Sequence, residues 1–202
     1  MLNDVRMRFE LPRIILASGS PRRSEIMASV GWEFEKSVPD VDESVREGES
    51  PEDYVRRLAG EKALAVAGSH PGQIILAADT TVVIDGEIIG KPEDHEDARL
   101  MIRRLSGNWH DVLTGVAVAR NGFEKIGMQR TRVKFAKMTE AEIDFLVERG
   151  DPLDKAGAYA VQAQAALFIE GIEGDYWNVV GLPVSLVYRL VKDLESTVED
   201  RS

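Results

Sequence analysis

Residues 14–25 read IILASGSPRRSE. The first four form a short apolar run suited to a buried strand. Ser18-Gly19-Ser20 is a small-residue loop, and a helix is predicted from Pro21 to about Val30, stopped by Gly31. Ser20 is a favoured N-cap residue and Pro21 a favoured first helical residue. Strand, tight loop and helix make one α/β unit, and in open α/β sheets ligands collect beyond the strand's carboxyl end. The two arginines are the anomaly. A helix N-terminus carries partial positive charge and favours acids. Three other predicted helices obey, opening with SPED (50–53), KPEDHED (91–97) and TEAE (139–142), whereas this one opens with Arg22 and Arg23. An anion held at the loop by free backbone N–H groups and the two guanidiniums would reverse the repulsion. The plain alternative is a pair of surface arginines.

Working outward, Trp32 to Val38 reads as a second strand and Pro39 to Ser50 as an acidic loop. A helix is predicted over 51–67, a strand over 74–84 and a turn at Asp85-Gly86, followed by a helix from Pro92 to Ser106. Residues 109–120 and 123–137 form a hairpin through Asn121-Gly122, and a capped helix spans 139–149. A Gly/Ala-rich stretch covers 156–171, and a last helix runs from Pro183 to about Leu194, leaving 195–202 as a frayed tail. Strands mixed with helices indicate α/β with some antiparallel pairing.

The bulk properties narrow the function classes. The chain has 202 residues, enough for one large domain or two small lobes, with 44% hydrophobic and 30% charged residues. A net charge of −10 argues against a general nucleic-acid or anionic-membrane binder. With no cysteine there are no disulfides, thiolate metal sites or cysteine nucleophiles. Residues 1–12 lack the apolar core and cleavage site of a signal peptide, and no apolar run suits a bilayer span, so a cytoplasmic address is expected.

Four further features carry chemistry. Asp79 interrupts the apolar run IILAADTTVVI (74–84), and an unpaired carboxylate there would cost several kcal/mol. It therefore has a structural Lys or Arg partner, or sits at a site with a metal and phosphate. Lys62 lies on the apolar stripe Val55, Leu58, Ala59, Ala63, Val66 of its helix, either snorkelling to solvent or aimed at a shared anion. GEIIGKP (86–92) is not a P-loop, because only three residues separate its glycines and Pro follows Lys91. DKAGAYAVQ (154–162) sets Asp154, Lys155 and Gln162 among small residues; the glutamine suits either reading a base edge or satisfying backbone in a core. The three histidines suggest no metal pair. Arginines and lysines with carboxylates suit hydrolysis of a phosphate ester with a divalent metal.

The chain resembles the Maf family of nucleoside triphosphate pyrophosphatases over about residues 13–194. The resemblance rests on LASGSPRR (16–23), DE (42–43), EKA (61–63), ADT (78–80), GKP (90–92), LSG (105–107), HDVLT (110–114), DKAGAYAVQ (154–162) and NVVGLP (178–183), in that order. It implies one Maf-like domain over 1–202, with an extension at 1–12 and the tail at 195–202. It also implies a Maf/ITPase-like α/β fold: an elongated, twisted mixed sheet with flanking helices, in two lobes around a central cleft. The implied reaction is hydrolysis between the α- and β-phosphates. Asp79 would be the proton acceptor for water or a metal ligand that orients it. Arg22, Thr80 and Gln162 match positions for substrate selection. Ser18, Arg23, Lys62 and Lys91 match the phosphate-facing set, and Glu43 would hold Mg²⁺, or Mn²⁺ or Co²⁺, with Asp79. The DKAGAY form, with Asp154 and Lys155, resembles the branch acting on dTTP and UTP, with modified pyrimidine triphosphates as further substrates. One departure is AQAA (163–166), where the family usually shows Gly-rich residues. A homodimer is compatible with the sequence. The rival is a non-catalytic, nucleotide-binding regulator of septum formation, which would not need Asp79 or Glu43.

Overall fold

The computed structural model describes residues 11–199. Most of the 1–12 extension and the last three residues lie outside that range. Strand β1 (Ile14–Ala17), helix α1 (Pro21–Ser29), β2 (Phe34–Lys36), α2 (Pro51–Ala67), β3 (Ile74–Ile84) and β4 (Glu87–Ile89) come first. Then follow α3 (His95–Leu105), β5 (Trp109–Arg120), β6 (Phe123–Phe135), α4 (Glu140–Arg149), β7 (Ile169–Glu173), α5 (Tyr176–Val180) and α6 (Val184–Glu199). One seven-stranded sheet results, in the order β2-β1-β3-β5-β6-β7, with β4 also paired to β3. β1 is parallel to β2 and β3; every other pairing is antiparallel. This is the mixed α/β sheet with flanking helices expected from the sequence.

β3 is nearly continuous apolar sequence because both its faces are covered. On one face Ile75 and Ala77 pack with Ala59, Ala63 and Val66 of α2. On the other, Ile74, Leu76 and Ala78 share a core with Ile26 and Met27 of α1 and Val187, Val191 and Leu194 of α6. Side chains alternate along a strand, so Asp79 falls on the α2 face and Thr80 on the α1 face. α2 comes unusually close to the sheet beside Asp79. Asp79 pairs with Gly115 of β5, where a Cβ would stand 2.0 Å from the Val55 carbonyl oxygen of α2. Only glycine admits the helix backbone there.

The ladder on β3 leaves one gap. β1 pairs with β3 only as far as Ala17–Ala77, and β4 begins at Val82. Between them, Ala78 to Thr81 have a strand neighbour only on the β5 side. There the sheet opens.

Several boundaries differ from the sequence expectation. α3 starts at His95 rather than Pro92, because the Asp94 carboxylate caps it by accepting from the Glu96 and Asp97 amides. The second strand shrinks to Phe34–Lys36, and Trp32 instead fills the core with its ring N–H donating to the Pro12 carbonyl. β6 ends at Phe135 rather than Lys137. The Gly/Ala-rich stretch holds two short 3-10 turns and the start of β7, an edge strand paired to β6. α5 is unforeseen. α6 continues through Glu199, so residues 195–199 extend the helix rather than a frayed tail. The turns at Asp85-Gly86 and Asn121-Gly122 form as expected, all four residues having positive φ. No helix among the described residues is long and apolar enough to cross a membrane.

Candidate functional site

The gap in the sheet is the floor of a cleft of about 800 Å³. All eleven residues singled out by the sequence line it: Ser18, Arg22, Arg23, Glu43, Lys62, Asp79, Thr80, Lys91, Asp154, Lys155 and Gln162. They come from separate elements, and the gap lets both faces of β3 contribute to one cavity.

From the α1 face comes Arg23. Its Nε donates to the Gly181 carbonyl at 2.9 Å, Nη1 to Ser18 Oγ at 3.1 Å and Nη2 to Thr80 Oγ1 at 3.1 Å. Gly181 has φ +124°, a conformation that L side chains rarely adopt. Burial lowers the Arg23 pKa, partly offset by the Asp79 charge. Ser20 holds the cap position of α1, yet its side chain makes no cap bond. The sequence reading of Ser20 as the cap is thus half right: the position is correct, and the helix N-terminus stays open. Ser18 Oγ accepts from the Ser20 amide at 3.2 Å and fixes the loop instead.

Arg22 reaches across the cleft to Asp154, with Nη1 to Oδ2 at 2.9 Å. The Lys155 ammonium is 2.5 Å from the other Asp154 oxygen and also donates to the Asp151 carbonyl. Burial works against the Asp154 charge, but hydrogen bonds from Lys155 and Arg22 outweigh it and lower the pKa. Asp154 therefore bridges two cations rather than facing a ligand alone.

From the α2 face comes Lys62. Its Nζ lies 2.6 Å from Asp79 Oδ1 and 2.5 Å from Glu43 Oε1. Lys62 is 8% exposed and Asp79 6%. The lysine therefore does not snorkel to solvent; it is the cation that the lone strand carboxylate requires. Removing one member of such a pair costs about 3–5 kcal/mol. Burial opposes the Glu43 charge, while the hydrogen bond and charge of Lys62 prevail and lower its pKa.

Other residues of the site went unassigned in the sequence reading. Thr80 Oγ1 lies 3.0 Å from Thr114 Oγ1, which donates to the Asn178 carbonyl at 3.2 Å. Thr114 and Asn178 are fully buried, so this chain fixes Thr80 and through it Arg23. The signal was available: Thr114 interrupts the apolar run of β5 as Asp79 interrupts β3. Tyr54 Oη donates to the Glu43 carbonyl at 3.0 Å, and burial pushes its pKa up to about 12. Tyr159 lines the cleft and its hydroxyl lies 2.7 Å from His110 Nε2, a ring whose pKa burial lowers to about 4. Gln162 and Lys91 are exposed on the cleft wall. Of the two readings of Gln162, the core one is thereby set aside.

Among the described residues, no group of three or more His, Asp or Glu side chains gathers as a metal site. Glu43 and Asp79 converge on one point, now held by the Lys62 ammonium. Two hard carboxylate donors match the one or two that Mg²⁺ takes from a protein, so Glu43 and Asp79 would be the residues to hold it.

A family model described as Maf-like protein matches residues 13–194. The chain belongs to the Maf family. Curated relatives named dTTP/UTP pyrophosphatase are similar along most of the chain. The one from Symbiobacterium thermophilum is 50% identical over 174 residues, 86% of this chain and 90% of its own. The one from Anaeromyxobacter dehalogenans strain 2CP-C is 50% identical over 185 residues, 90% of this chain and 93% of its own. Among solved structures, the Staphylococcus aureus Ham1 protein aligns with a TM-score of 0.45 at 14% identity, covering 94% of this chain and 100% of that one.

Proposed function

We propose that this Maf protein hydrolyses the α–β phosphoanhydride of dTTP and UTP, and of modified pyrimidine triphosphates, giving a nucleoside monophosphate and pyrophosphate. The observation that carries the reading is the meeting, in one gap of the sheet, of a carboxylate pair and an arginine fork from opposite faces of β3. The names of the relatives supply the substrate class. A regulator that only bound nucleotide would have no use for a buried Asp79 beside Glu43.

The open N-terminus of α1, Arg23, Lys62 and Lys91 bind the triphosphate oxygens and take up the charge that develops on the leaving pyrophosphate. Lys62 moves from the carboxylates to phosphate. Asp79 takes the proton of the attacking water or would hold the cation that orients that water; Glu43 completes the pair. A divalent cation, Mg²⁺ first with Mn²⁺ or Co²⁺ as alternatives, supplies Lewis-acid charge at the phosphates when bound. Arg22, Thr80 and Gln162 line the part of the cleft where the nucleoside is selected, with Asp154 and Lys155 setting Arg22. The reading includes a cytoplasmic, housekeeping role and no nucleic-acid or membrane partner, in keeping with a charge of −10.

A panel of dTTP, UTP, CTP, GTP and 7-methyl-GTP with millimolar Mg²⁺, assayed separately for pyrophosphate and orthophosphate, tests this directly. Pyrophosphate from dTTP and UTP above the others is the expected result. Orthophosphate alone would make the protein a phosphatase, and binding without product would make it a regulator. Asp79→Asn is expected to lower turnover about a hundredfold or more with nucleotide binding retained; near-full turnover would remove Asp79 from the chemistry.

A further inference from the structure

Glu43 sits on the least regular part of the site. Residues 37–50, between β2 and α2, contain no helix or strand. No sheet ladder fixes this loop, yet Glu43 must stay beside Asp79 within a fraction of an ångström to act with it. Its bond to Lys62 is not a permanent tether, because the proposed reaction draws that ammonium toward phosphate. Tyr54 holds the Glu43 carbonyl at one point, and the stretch that follows needs an anchor of its own.

The structure supplies a half-buried clasp. Arg57 of α2 grips Glu49 with two parallel bonds, Nε to Oε1 at 2.5 Å and Nη2 to Oε2 at 2.7 Å. The same Nη2 donates to the Ser44 carbonyl at 3.0 Å, one residue beyond Glu43, while Nη1 donates to Glu61 at 3.1 Å. Glu61 in turn accepts from Arg46 of the loop at 2.7 Å. The side chains of Arg57 and Glu49 are only 13% and 8% exposed, unlike the open ion pairs elsewhere on the surface. A bidentate fork gives direction as well as attraction. Arg57 precedes Lys62 by five residues on one helix, about 7.5 Å along its axis, so a single rigid element carries both the loop's anchor and the lysine that Glu43 faces. The hydrogen bonds from Arg57 hold the Glu49 pKa down to about 2, so the clasp stays charged in neutral solution.

We infer that Arg57 is a positioning residue: by gripping Glu49 and the Ser44 carbonyl it holds Glu43 at the reaction centre when Lys62 turns to the substrate. This rests on the role given to Glu43 in the proposed function. Arg57 itself does not line the cleft.

The test is a double-mutant cycle on the full chain with dTTP and Mg²⁺, read together with hydrogen exchange. Arg57→Gln is expected to lower kcat about ten- to a hundredfold with a smaller change in KM. Arg57→Lys, which keeps the charge but not the fork, is expected to recover only part. In a Glu43→Gln background, Arg57→Gln should add little further loss, and amides of 39–50 should exchange faster in Arg57→Gln while β3 and β5 stay protected. Additive losses in the two backgrounds, or loop exchange at the wild-type rate, would overturn the inference alone. Full turnover in Glu43→Gln would overturn the proposed role of Glu43 and the inference with it. If Arg57→Gln does not fold, Glu49→Gln removes the clasp's charge with little change of shape and carries the same cycle.

Discussion

Helices α1 and α4 begin in opposite ways. At α4 the Thr139 hydroxyl accepts from the Glu142 amide and the Glu142 carboxylate accepts from the Thr139 amide, with Glu140 and Glu142 in the first turn. That end satisfies itself with residues three apart. At α1 the cap residue Ser20 makes no side-chain cap bond, the first turn has no acid, and two arginines stand where the dipole opposes them. Those arginines are held by residues far along the chain: Thr80, Asp154 and Gly181. A helix end whose needs are met locally has nothing left to offer a ligand. One that is left open, with its cations fixed by distant partners, keeps the backbone N–H groups that the proposed function assigns to phosphate.

The largest effect that would separate the two ends is Arg23→Ala. Turnover of dTTP should fall about a hundredfold, while the loss of its three bonds to Ser18, Thr80 and Gly181 costs about 2–4 kcal/mol of stability. Denaturant titration beside steady-state kinetics reads both, and a stability loss with turnover intact would make α1 an ordinary helix start. Next comes Thr139→Ala, expected to cost about 1 kcal/mol of stability with kcat and KM unchanged; altered kinetics would mean that the α4 end also communicates with the cleft. The smallest effect is on pH. Hydrogen bonds from the Thr139 amide and hydroxyl lower the Glu142 pKa below its ordinary 4.5. The carboxylate's contribution is therefore fully present above that value and is lost as pH falls through the lower folded value. Thermal melts of Glu142→Gln against the parent chain should converge under acid; a gap that widened there would contradict the capping box.

Much of the site was legible because its residues violate local rules. Arg22 and Arg23 offend a helix dipole, Asp79 an apolar strand and Lys62 an apolar helix stripe, and all of them line the cleft. Gln162 stood out only as a polar residue among small ones, with a core role equally open; Lys91 and Glu43 offend nothing locally, and their roles came from the family resemblance. Arg57 and Tyr54 stayed hidden for the same reason, since a charged and an aromatic residue near a helix start look ordinary until the loop folds against them. Thr114 broke a rule that went unread. Elements with strong periodicity or caps, such as α2, α4 and the β5–β6 hairpin, matched the sequence closely. β7 and α5 did not, because each is short and their form depends on contacts with the sheet rather than on their own pattern.

By itself the sequence determined the alternation of strands and helices, the positions where polar residues stand in apolar company, and the helix end that cannot be at rest without a partner. These follow from propensity, periodicity and dipole, which act within a few residues. Tertiary structure alone decided that Lys62 answers Asp79 and Glu43, and that Arg22 pairs with Asp154 across the cleft. It alone decided that β1 stops short of β4, leaving Ala78 to Thr81 without a neighbour on one side. Those outcomes depend on register and on the close approach of α2 at Gly115, distances set by the packing of elements far apart in the chain.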